Sequence, residues 1–119
     1  MADTKKQFGE SGEDLACKFL EGKGFKILKR NWRYGHGEID IIAEDNDKLV
    51  FVEVKTRRNL EFGPPELAVT KSKQRQVRKM AEAYLYINEI TDQECRIDVI
   101  AILMLDKDAP QINHIKNAF

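Results

Sequence analysis

Two ionisable side chains interrupt a stretch whose other residues are typical of a β-strand. The segment VFVEVKT, residues 50–56, carries Glu53 and Lys55 two positions apart. Because successive side chains of a strand point to opposite faces, these two share one face and the three valines share the other. A carboxylate can bind a divalent cation, and a nearby ammonium group can stabilise negative charge on a reacting phosphate. The same pair also occurs on solvated strand faces, where it forms an ordinary ion pair.

The preceding segment supplies a second acid, whose position depends on the register of a β-hairpin. GEIDIIA, residues 37–43, contains Asp40, and the turn-forming residues 45–47 separate it from the next strand. A turn with an even number of residues places Asp40 directly opposite Glu53, whereas an odd number places the two on opposite faces. The even register also puts the apolar side chains of both strands on one face: Ile39, Ile41, Ala43, Val50, Val52 and Val54. We therefore expect Asp40 and Glu53 to be cross-strand neighbours.

Two carboxylates held in this way repel each other. With Cβ atoms about 5 Å apart and an effective dielectric constant near 20, the repulsion is roughly 3 kcal/mol. A divalent cation removes it, and two carboxylates with water and phosphate oxygens are typical Mg²⁺ ligands. The spacing therefore predicts a site for Mg²⁺ or Mn²⁺ at Asp40 and Glu53. Lys55, expected opposite Glu38 on the same face, is the candidate catalytic cation.

Helical periodicity predicts two helices, one near the N-terminus and one in the middle of the chain. Apolar residues recur at helical intervals over residues 5–23 and again over residues 70–88. Each helix has two candidate N-terminal caps: Thr4 or Ser11 for the first, and Thr70 or Ser72 for the second. Glu13 lies at the border of the apolar stripe of the first helix. It could reach the metal site, or it could only complement the helix dipole.

The remaining apolar segments predict five strands. They cover residues 25–34, 37–43, 48–56, 95–105 and 112–116. The fourth is apolar without interruption, so we expect it to be buried on both faces. The order α-β-β-β-α-β predicts a single α/β domain over residues 1–119, with a mixed sheet flanked by helices.

Five cations without an intervening acid lie near the start of the second helix: Lys71, Lys73, Arg75, Arg78 and Lys79. Because cations oppose the positive end of a helix dipole, local helix stability does not account for them. Contact with phosphate groups would account for them. Arg57 and Arg58, at the end of the strand that carries Lys55, extend the same patch. The alternative is an ordinary solvated face. Trp32 and Tyr34 could likewise stack on unpaired bases or belong to the core or its rim.

Composition and charge restrict the class of protein. The 119 residues are 42% hydrophobic and 34% charged, which is typical of a folded globular chain and not of a disordered one. The net charge is zero, but residues 1–79 carry a net +4 and residues 80–119 a net −4. An anionic partner would therefore meet the first part. The polar start and the lack of a long apolar run indicate neither signal peptide nor membrane span, so we expect a cytoplasmic protein.

Other chemistry-bearing patterns are missing from the sequence. It has no glycine-rich phosphate loop, no nucleophile elbow and no zinc-ligand spacing. Cys17 and Cys95 are expected to be small buried hydrophobes in a reducing compartment. Asp98, near Arg96 in the buried strand, is expected to make a structural ion pair or a helix-cap contact, and His114 is expected to be structural. The acids and cations described above are thus the main candidates for a functional site.

These candidates, with their neighbours, resemble a known group of enzymes. Asp40, followed after a hairpin by the EVK of residues 53–55, resembles the motif of the PD-(D/E)xK nuclease superfamily, although Ile39 stands where the superfamily name has Pro. Five segments resemble the YraN-like family of small bacterial proteins over nearly the whole chain: GEDLACKFLEGKGFKIL, GHGEIDIIAED, LVFVEVKTR, KxKQR and HIKNAF. Archaeal Holliday-junction resolvases are similar in layout and carry an added Glu at the place of Glu13.

The resemblance implies a restriction-endonuclease-like fold and Mg²⁺- or Mn²⁺-dependent cleavage of DNA, branched or otherwise structured. It implies that Asp40, Glu53 and Glu13 bind the metal and act in catalysis with Lys55. A homodimer would place two such sites symmetrically on two strands. Two alternatives remain at this point. One is a DNA-binding module of the same fold with little cleavage activity, and the other is an adaptor that binds a protein through its acidic C-terminal part.

Overall fold

Five strands form one mixed sheet, in which they follow the same order as in the chain. The computed structural model describes the backbone of residues 5–61, 63–105 and 109–119 and, apart from residues 5–10 and 67, their side chains. The elements are α1 (Lys5–Gly22), β1 (Lys26–Tyr34), β2 (Gly37–Asp45), β3 (Lys48–Arg57), a 3₁₀-helix (Pro65–Ala68), α2 (Lys71–Ile87), β4 (Cys95–Leu103) and β5 (Gln111–Ile115). The predicted α-β-β-β-α-β order is confirmed, and the expected last strand follows it as β5.

The directions of the strands explain why the sheet is mixed. Short turns join β1, β2 and β3, and β2 is antiparallel to both of the other two strands. β4 is parallel to β3, and a parallel pair needs a long crossover, which the 3₁₀-helix and α2 supply. β5 returns antiparallel to β4. The result is an α/β fold whose element order is that of a restriction-endonuclease-like core.

The two helices cover opposite faces of the sheet. On the α1 face the buried core includes Ala16, Leu20, Ile41, Val50, Val52 and Ile100. On the α2 face it includes Ile39, Ile42, Phe51, Val77 and Tyr84. Six of the nine residues of β4 are buried, which confirms that this strand is covered on both sides. Full burial of one such aliphatic side chain contributes about 1.5–3 kcal/mol, so both faces stabilise the fold.

The helix α1 continues through its glycines and ends at a left-handed residue. It includes Ser11, so Ser11 is not its cap, and the alternative cap Thr4 lies outside the described residues. After the helix, Gly24 has a φ of 92°, a conformation that glycine adopts without strain. The Phe25 N–H then donates to the Leu20 carbonyl at 3.0 Å, so the chain turns directly into β1.

The helix α2 begins at a side-chain cap. The Thr70 hydroxyl oxygen accepts the Lys73 N–H at 3.2 Å, whereas Ser72 lies inside the helix. At the other end, the Asn88 N–H donates to the Tyr84 carbonyl at 3.1 Å. Of the two candidate caps, Thr70 is therefore the one that caps α2. No helix in the described part of the chain is long and apolar enough to cross a lipid bilayer.

The hairpin between β2 and β3 has the predicted register from the turn as far as Ile41 and Val52. The expected pairs of Asp40 with Glu53 and of Glu38 with Lys55 are not among its regular pairs, because the regular pairing ends there. Its regular pairs are Ile41–Val52, Ile42–Phe51, Ala43–Val50, Glu44–Leu49 and Asp45–Lys48. The turn has two residues, and Asn46 adopts a φ of 58° in it. The prediction that Ile39 shares a face with Ile41 is wrong, because Ile39 packs in the core on the α2 face. The strand changes face between these two residues.

The expectation that both cysteines are buried is also wrong for one of them. Cys17 is buried in the α1-face core, but Cys95 is exposed. Cys95 is the first residue of β4, where the strand has not yet entered the core. Its thiol lies 3.3 Å from the Gln93 carbonyl oxygen, to which it donates a hydrogen bond.

The close packing of α1 on the sheet predicts that alanine substitutions at two glycines of this helix have different effects on stability. A Cβ added at Gly12 would overlap the side chain of Thr56 in β3, whereas one added at Gly22 meets nothing within 4 Å. We expect Gly12→Ala to lower the free energy of unfolding by about 1–3 kcal/mol. Gly22→Ala, the matched control, should be neutral or stabilising by up to about 1 kcal/mol. Urea denaturation measures both, and equal effects of the two substitutions would contradict the proposed packing.

Candidate metal site and its surroundings

Asp40 lies where β2 changes the face on which its side chains pack. Ile39 belongs to the α2-face core and Ile41 to the α1-face core, although residues two apart in a regular strand share a face. β1 is irregular at the same level, since Asn31, between the residues paired with Ile39 and Ile41, has a φ of 52°. The Asp40 Oδ2 accepts the Val54 N–H at 2.8 Å. A side-chain carboxylate thus bonds to the backbone of β3 at the junction of the two faces.

Three carboxylates from two elements meet at this junction. One oxygen each from Glu13, Glu38 and Asp40 lies within 4.8 Å of the others, and all three residues are half-buried. Glu13 comes from α1, and the other two come from β2. Mg²⁺ holds oxygens at about 2.0–2.1 Å, so ligands on opposite sides of the ion are about 4 Å apart. The three oxygens are therefore grouped closely enough that they could hold one divalent cation.

Burial and mutual repulsion make negative charge costly in this group. Burial, and then the charge of Asp40, raise the pKa of Glu13 above its usual value. Arg30 opposes this shift, with its Nη2 at 3.8 Å from the Glu13 Oε2. Burial likewise raises the pKa of Asp40, against the lowering effects of the Val54 N–H and of Lys73. A cation bound here would relieve the cost.

Glu53 is buried next to this group, on the α2 face of β3. It is 4% exposed, and its Oε1 lies 3.5 Å from the Nζ of Lys73 in α2. Its Oε2 is buried without a hydrogen-bond partner among the described residues. Burial and the charge of Asp40 raise the pKa of Glu53 to about 7, while Lys73 and Lys55 act in the opposite sense. An unsatisfied buried polar atom costs about 1–3 kcal/mol, which a cation or a proton can offset.

The structure brings the predicted acids together and adds one that sequence reasoning missed as a candidate ligand. Asp40, Glu53 and Glu13 all lie at the same end of the sheet, and Lys55 is close enough to lower the pKa of Glu53. Glu38, expected only as a neighbour of Lys55, belongs to the three-carboxylate group, whereas Glu53 lies beside it. The signal for Glu38 was its place two residues before Asp40 in GEID.

The predicted basic residues differ in their burial and in their position relative to the acids. Lys73 is half-buried and contacts Glu53, so it lies inside the site. The other predicted phosphate contacts are exposed or half-buried near the ends of α2 and β3: Lys71, Arg75, Arg57 and Arg58. The Arg57 Nε is buried and has no hydrogen-bond partner within the described part of the chain. Arg78 lies over the Phe119 ring at 5.9 Å, on a different side of α2.

A second group of charged side chains is structural, as expected. Asp98 is fully buried, and its Oδ1 accepts from the Arg96 Nε and from the Asn117 N–H, both at 2.9 Å. Its Oδ2 lies 2.8 Å from the His114 Nε2, and the Lys23 Nζ lies 2.9 Å from the His114 Nδ1. Burial lowers the pKa of His114. The contacts fit a neutral ring that donates through Nε2 and accepts at Nδ1.

The raised pKa of Glu53 predicts a pH-dependent effect of removing its charge in metal-free buffer. Below pH 4.5 Glu53 holds its proton in both the folded and the unfolded chain, so the free energy of unfolding has its full value. As the pH rises through 7, the pKa of Glu53 in the folded state, the buried carboxyl becomes charged and the free energy of unfolding falls. Glu53→Gln should therefore raise the free energy of unfolding at pH 8, by at most about 3 kcal/mol, and change it little at pH 4.

Thermal or urea unfolding at the two pH values measures this difference. The matched control is Glu94→Gln, since Glu94 is an exposed acid whose Oε2 lies 3.8 Å from the Lys48 Nζ. Its effect should be small at both pH values. A Glu53→Gln protein that is destabilised equally at pH 4 and pH 8 would show that the carboxylate is not strained by burial.

Comparison of the sequence with known proteins places this chain in a family. The sequence profile of the "Uncharacterised protein family UPF0102" matches residues 12–102. A UPF0102 protein of Geotalea daltonii is 55% identical over 117 residues, covering 98% of this chain and 92% of the relative. That of Geobacter sulfurreducens is 53% identical over 114 residues, covering 96% and 89%, and that of Rhodococcus opacus is 48% identical over 111 residues, covering 93% and 94%. This chain belongs to the UPF0102 family, which is the YraN-like family.

Proposed function

We propose that this protein is a divalent-metal-dependent phosphodiesterase that cleaves DNA. The observation that carries the proposal is the buried Glu53 carboxylate beside the half-buried Asp40, at the junction where Glu13 and Glu38 also meet. This arrangement costs stability without a cation, and such costs concentrate at functional sites. The resemblance of Asp40, Glu53 and Lys55 to the PD-(D/E)xK motif supports the same reading.

The carboxylates would hold the metal. Glu13, Glu38 and Asp40 offer oxygen ligands only, and Glu53 adds a buried oxygen that no described group satisfies. Hard oxygen donors suit Mg²⁺ and Mn²⁺ better than they suit softer metals. When bound, such a cation supplies Lewis acidity toward the phosphate group.

The chain's own cations would act on the phosphate and on the acids. Hydrolysis adds water to the phosphorus and breaks one P–O ester bond, and negative charge on the phosphate oxygens increases as this happens. Lys55, close enough to Glu53 to affect its pKa, would offset that charge. Lys73, with its Nζ 3.5 Å from the Glu53 Oε1, orients the buried carboxylate. We assign chemistry to Lys55 and positioning to Lys73.

The cations outside the site would hold the DNA backbone. Lys71 and Arg75 are exposed in the first turns of α2, where the N-terminal end of the helix also favours an anion. Arg57 and Arg58 follow Lys55 at the end of β3. Phosphate contacts of this kind give affinity without sequence preference. Branched or otherwise structured DNA is the substrate class that we propose.

A second candidate function is a DNA-binding module without cleavage activity. The Lys73–Glu53 contact favours it, because an internal ammonium group already neutralises part of the charge that a metal would neutralise. In that case the acids would bind no divalent cation, and removing them would leave DNA binding unchanged. Cleavage by the wild-type protein separates the two candidates.

In a cleavage assay we expect a different outcome for each kind of residue. With Mg²⁺ or Mn²⁺ and labelled duplex, single-stranded, flap and four-way DNA, Asp40→Asn and Lys55→Ala should each lower the rate at least about 100-fold, with little loss of affinity. Lys71→Ala combined with Arg75→Ala should weaken binding to all sequences alike. It should also reduce the salt dependence by up to about two phosphate contacts.

The controls keep these roles apart. Asp40→Asn keeps an oxygen that can accept the Val54 N–H, so a lost activity is not a lost strand contact. Glu94→Gln removes an exposed acid elsewhere and should cleave like the wild type. Undiminished cleavage by Lys55→Ala would refute its catalytic role. An unchanged salt dependence in the double variant would refute the DNA contact at α2.

A further inference from the structure

An aromatic pair on β1, the half-buried Trp32 and the exposed Tyr34, lies at the same end of the sheet as the carboxylates. The rings of Trp32 and Tyr34 are nearly parallel, with 8° between their planes and 6.1 Å between their centroids. Stacked atoms are about 3.5 Å apart at their optimum, so rings at this centroid distance overlap only in part. Tyr34 is also 56% exposed. The Tyr34 ring is therefore accessible to a ligand, beside a half-buried Trp32.

A series of aromatic contacts fixes this pair from the core. Trp32 packs edge-to-face on Tyr84 of α2, with centroids 5.2 Å apart at 89°. Tyr84 in turn packs on Phe51 of β3, at 5.8 Å and 77°. Tyr84 and Phe51 are both buried. A platform held in this way loses little freedom when a flat ligand binds, which favours affinity.

The pair is close to the proposed metal site. Tyr34 is paired with Gly37 and Trp32 with Ile39 in the β1–β2 ladder, so both lie beside the start of β2 that carries Glu38. Neighbouring strands are about 4.8 Å apart and successive residues about 3.3 Å apart, which places Trp32 within roughly 10 Å of Asp40. That distance corresponds to a few nucleotides along one DNA strand.

The charge of β1 favours an anionic ligand. β1 is the edge strand of the sheet, and it carries no acid and four cations: Lys26, Lys29, Arg33 and Arg30, the last of which is paired with Asp14 at 2.8 Å. The Arg33 side chain is 76% exposed, although its Nε lies 3.7 Å from the Glu38 Oε2. Aromatic rings among cations are the common design of surfaces that bind single-stranded nucleic acid. A nucleobase has two flat faces and is attached to a phosphate, so it matches both features.

We infer that Trp32 and Tyr34 form a stacking platform for an unpaired nucleobase beside the cleaved phosphate. The platform would select DNA that contains unpaired bases over continuous duplex, because base faces inside a duplex are covered by their neighbours. This inference rests on the proposed function, since it names the substrate class of the same site. It adds Tyr34 and Trp32 as residues that determine specificity.

Fluorescence tests the platform directly, because Trp32 is the only tryptophan of the chain. The protein is titrated in EDTA with single-stranded oligothymidylate and with a blunt duplex of equal length, so no cleavage is required. The single strand should quench Trp32 emission and the duplex should not. Tyr34→Ala should weaken single-strand binding roughly 5- to 150-fold, as expected for one lost base–aromatic stack, without changing duplex affinity. Tyr34→Phe should keep wild-type affinity.

A second tyrosine supplies the matched control. Tyr86, near the end of α2, is 86% exposed, and Tyr86→Ala should alter neither quenching nor affinity. No quenching by the single strand, or an equal loss for both oligonucleotides in Tyr34→Ala, would overturn the inference. Because the titration contains no metal, quenching in a protein that cleaves nothing would refute the proposed function alone. Cleavage that Tyr34→Ala does not redistribute among substrates would refute the platform alone.

Discussion

The hydrogen bond from the Val54 N–H to the Asp40 carboxylate positions the rest of the site. It forms where β2 leaves its regular pairing with β3, so Asp40 lies between the two faces of the sheet. From there the carboxylate influences Glu13 of α1 on one face and Glu53 on the other. In a strand with uninterrupted alternation, Asp40 would reach only one of them. A single local irregularity therefore assembles acids from three elements.

Close packing of both helices makes that assembly possible and makes it costly. Gly12 lets α1 approach Thr56 of β3, and the next residue of the helix is Glu13. On the other face, Gly37 at the start of β2 lies against Met80 of α2, where a Cβ would overlap the Met80 side chain. Water is thereby kept from several carboxylates at once, and burial is the largest cause of their raised pKa values. The free energy gained by packing offsets the cost of burying these carboxylates. A bound cation would relieve that cost, and the relief would add to the affinity for the cation.

The sequence predicts the framework of this site better than its central detail. Alternation of apolar residues and the even turn were enough to predict the hairpin register, because one face of each strand must be buried. The change of face in β2 depends on the Val54 amide and on the left-handed Asn31, and both are properties of the folded sheet. For that reason Ile39 was assigned to the wrong face and Glu38 was missed as a candidate metal ligand. The burial of Cys95 was predicted wrongly, because the sequence of a buried strand does not show at which residue its burial begins.

The most direct test of the metal site is anomalous diffraction from crystals of the wild-type protein equilibrated with Mn²⁺. The scattering of manganese identifies the ion and its ligands without reference to any activity or DNA. We expect one manganese ion bonded to Asp40 and to at least one carboxylate oxygen of Glu13, Glu38 or Glu53. Manganese bound only elsewhere, or an Asp40 carboxylate without manganese at saturating concentration, would contradict the assignment of this junction as a metal site.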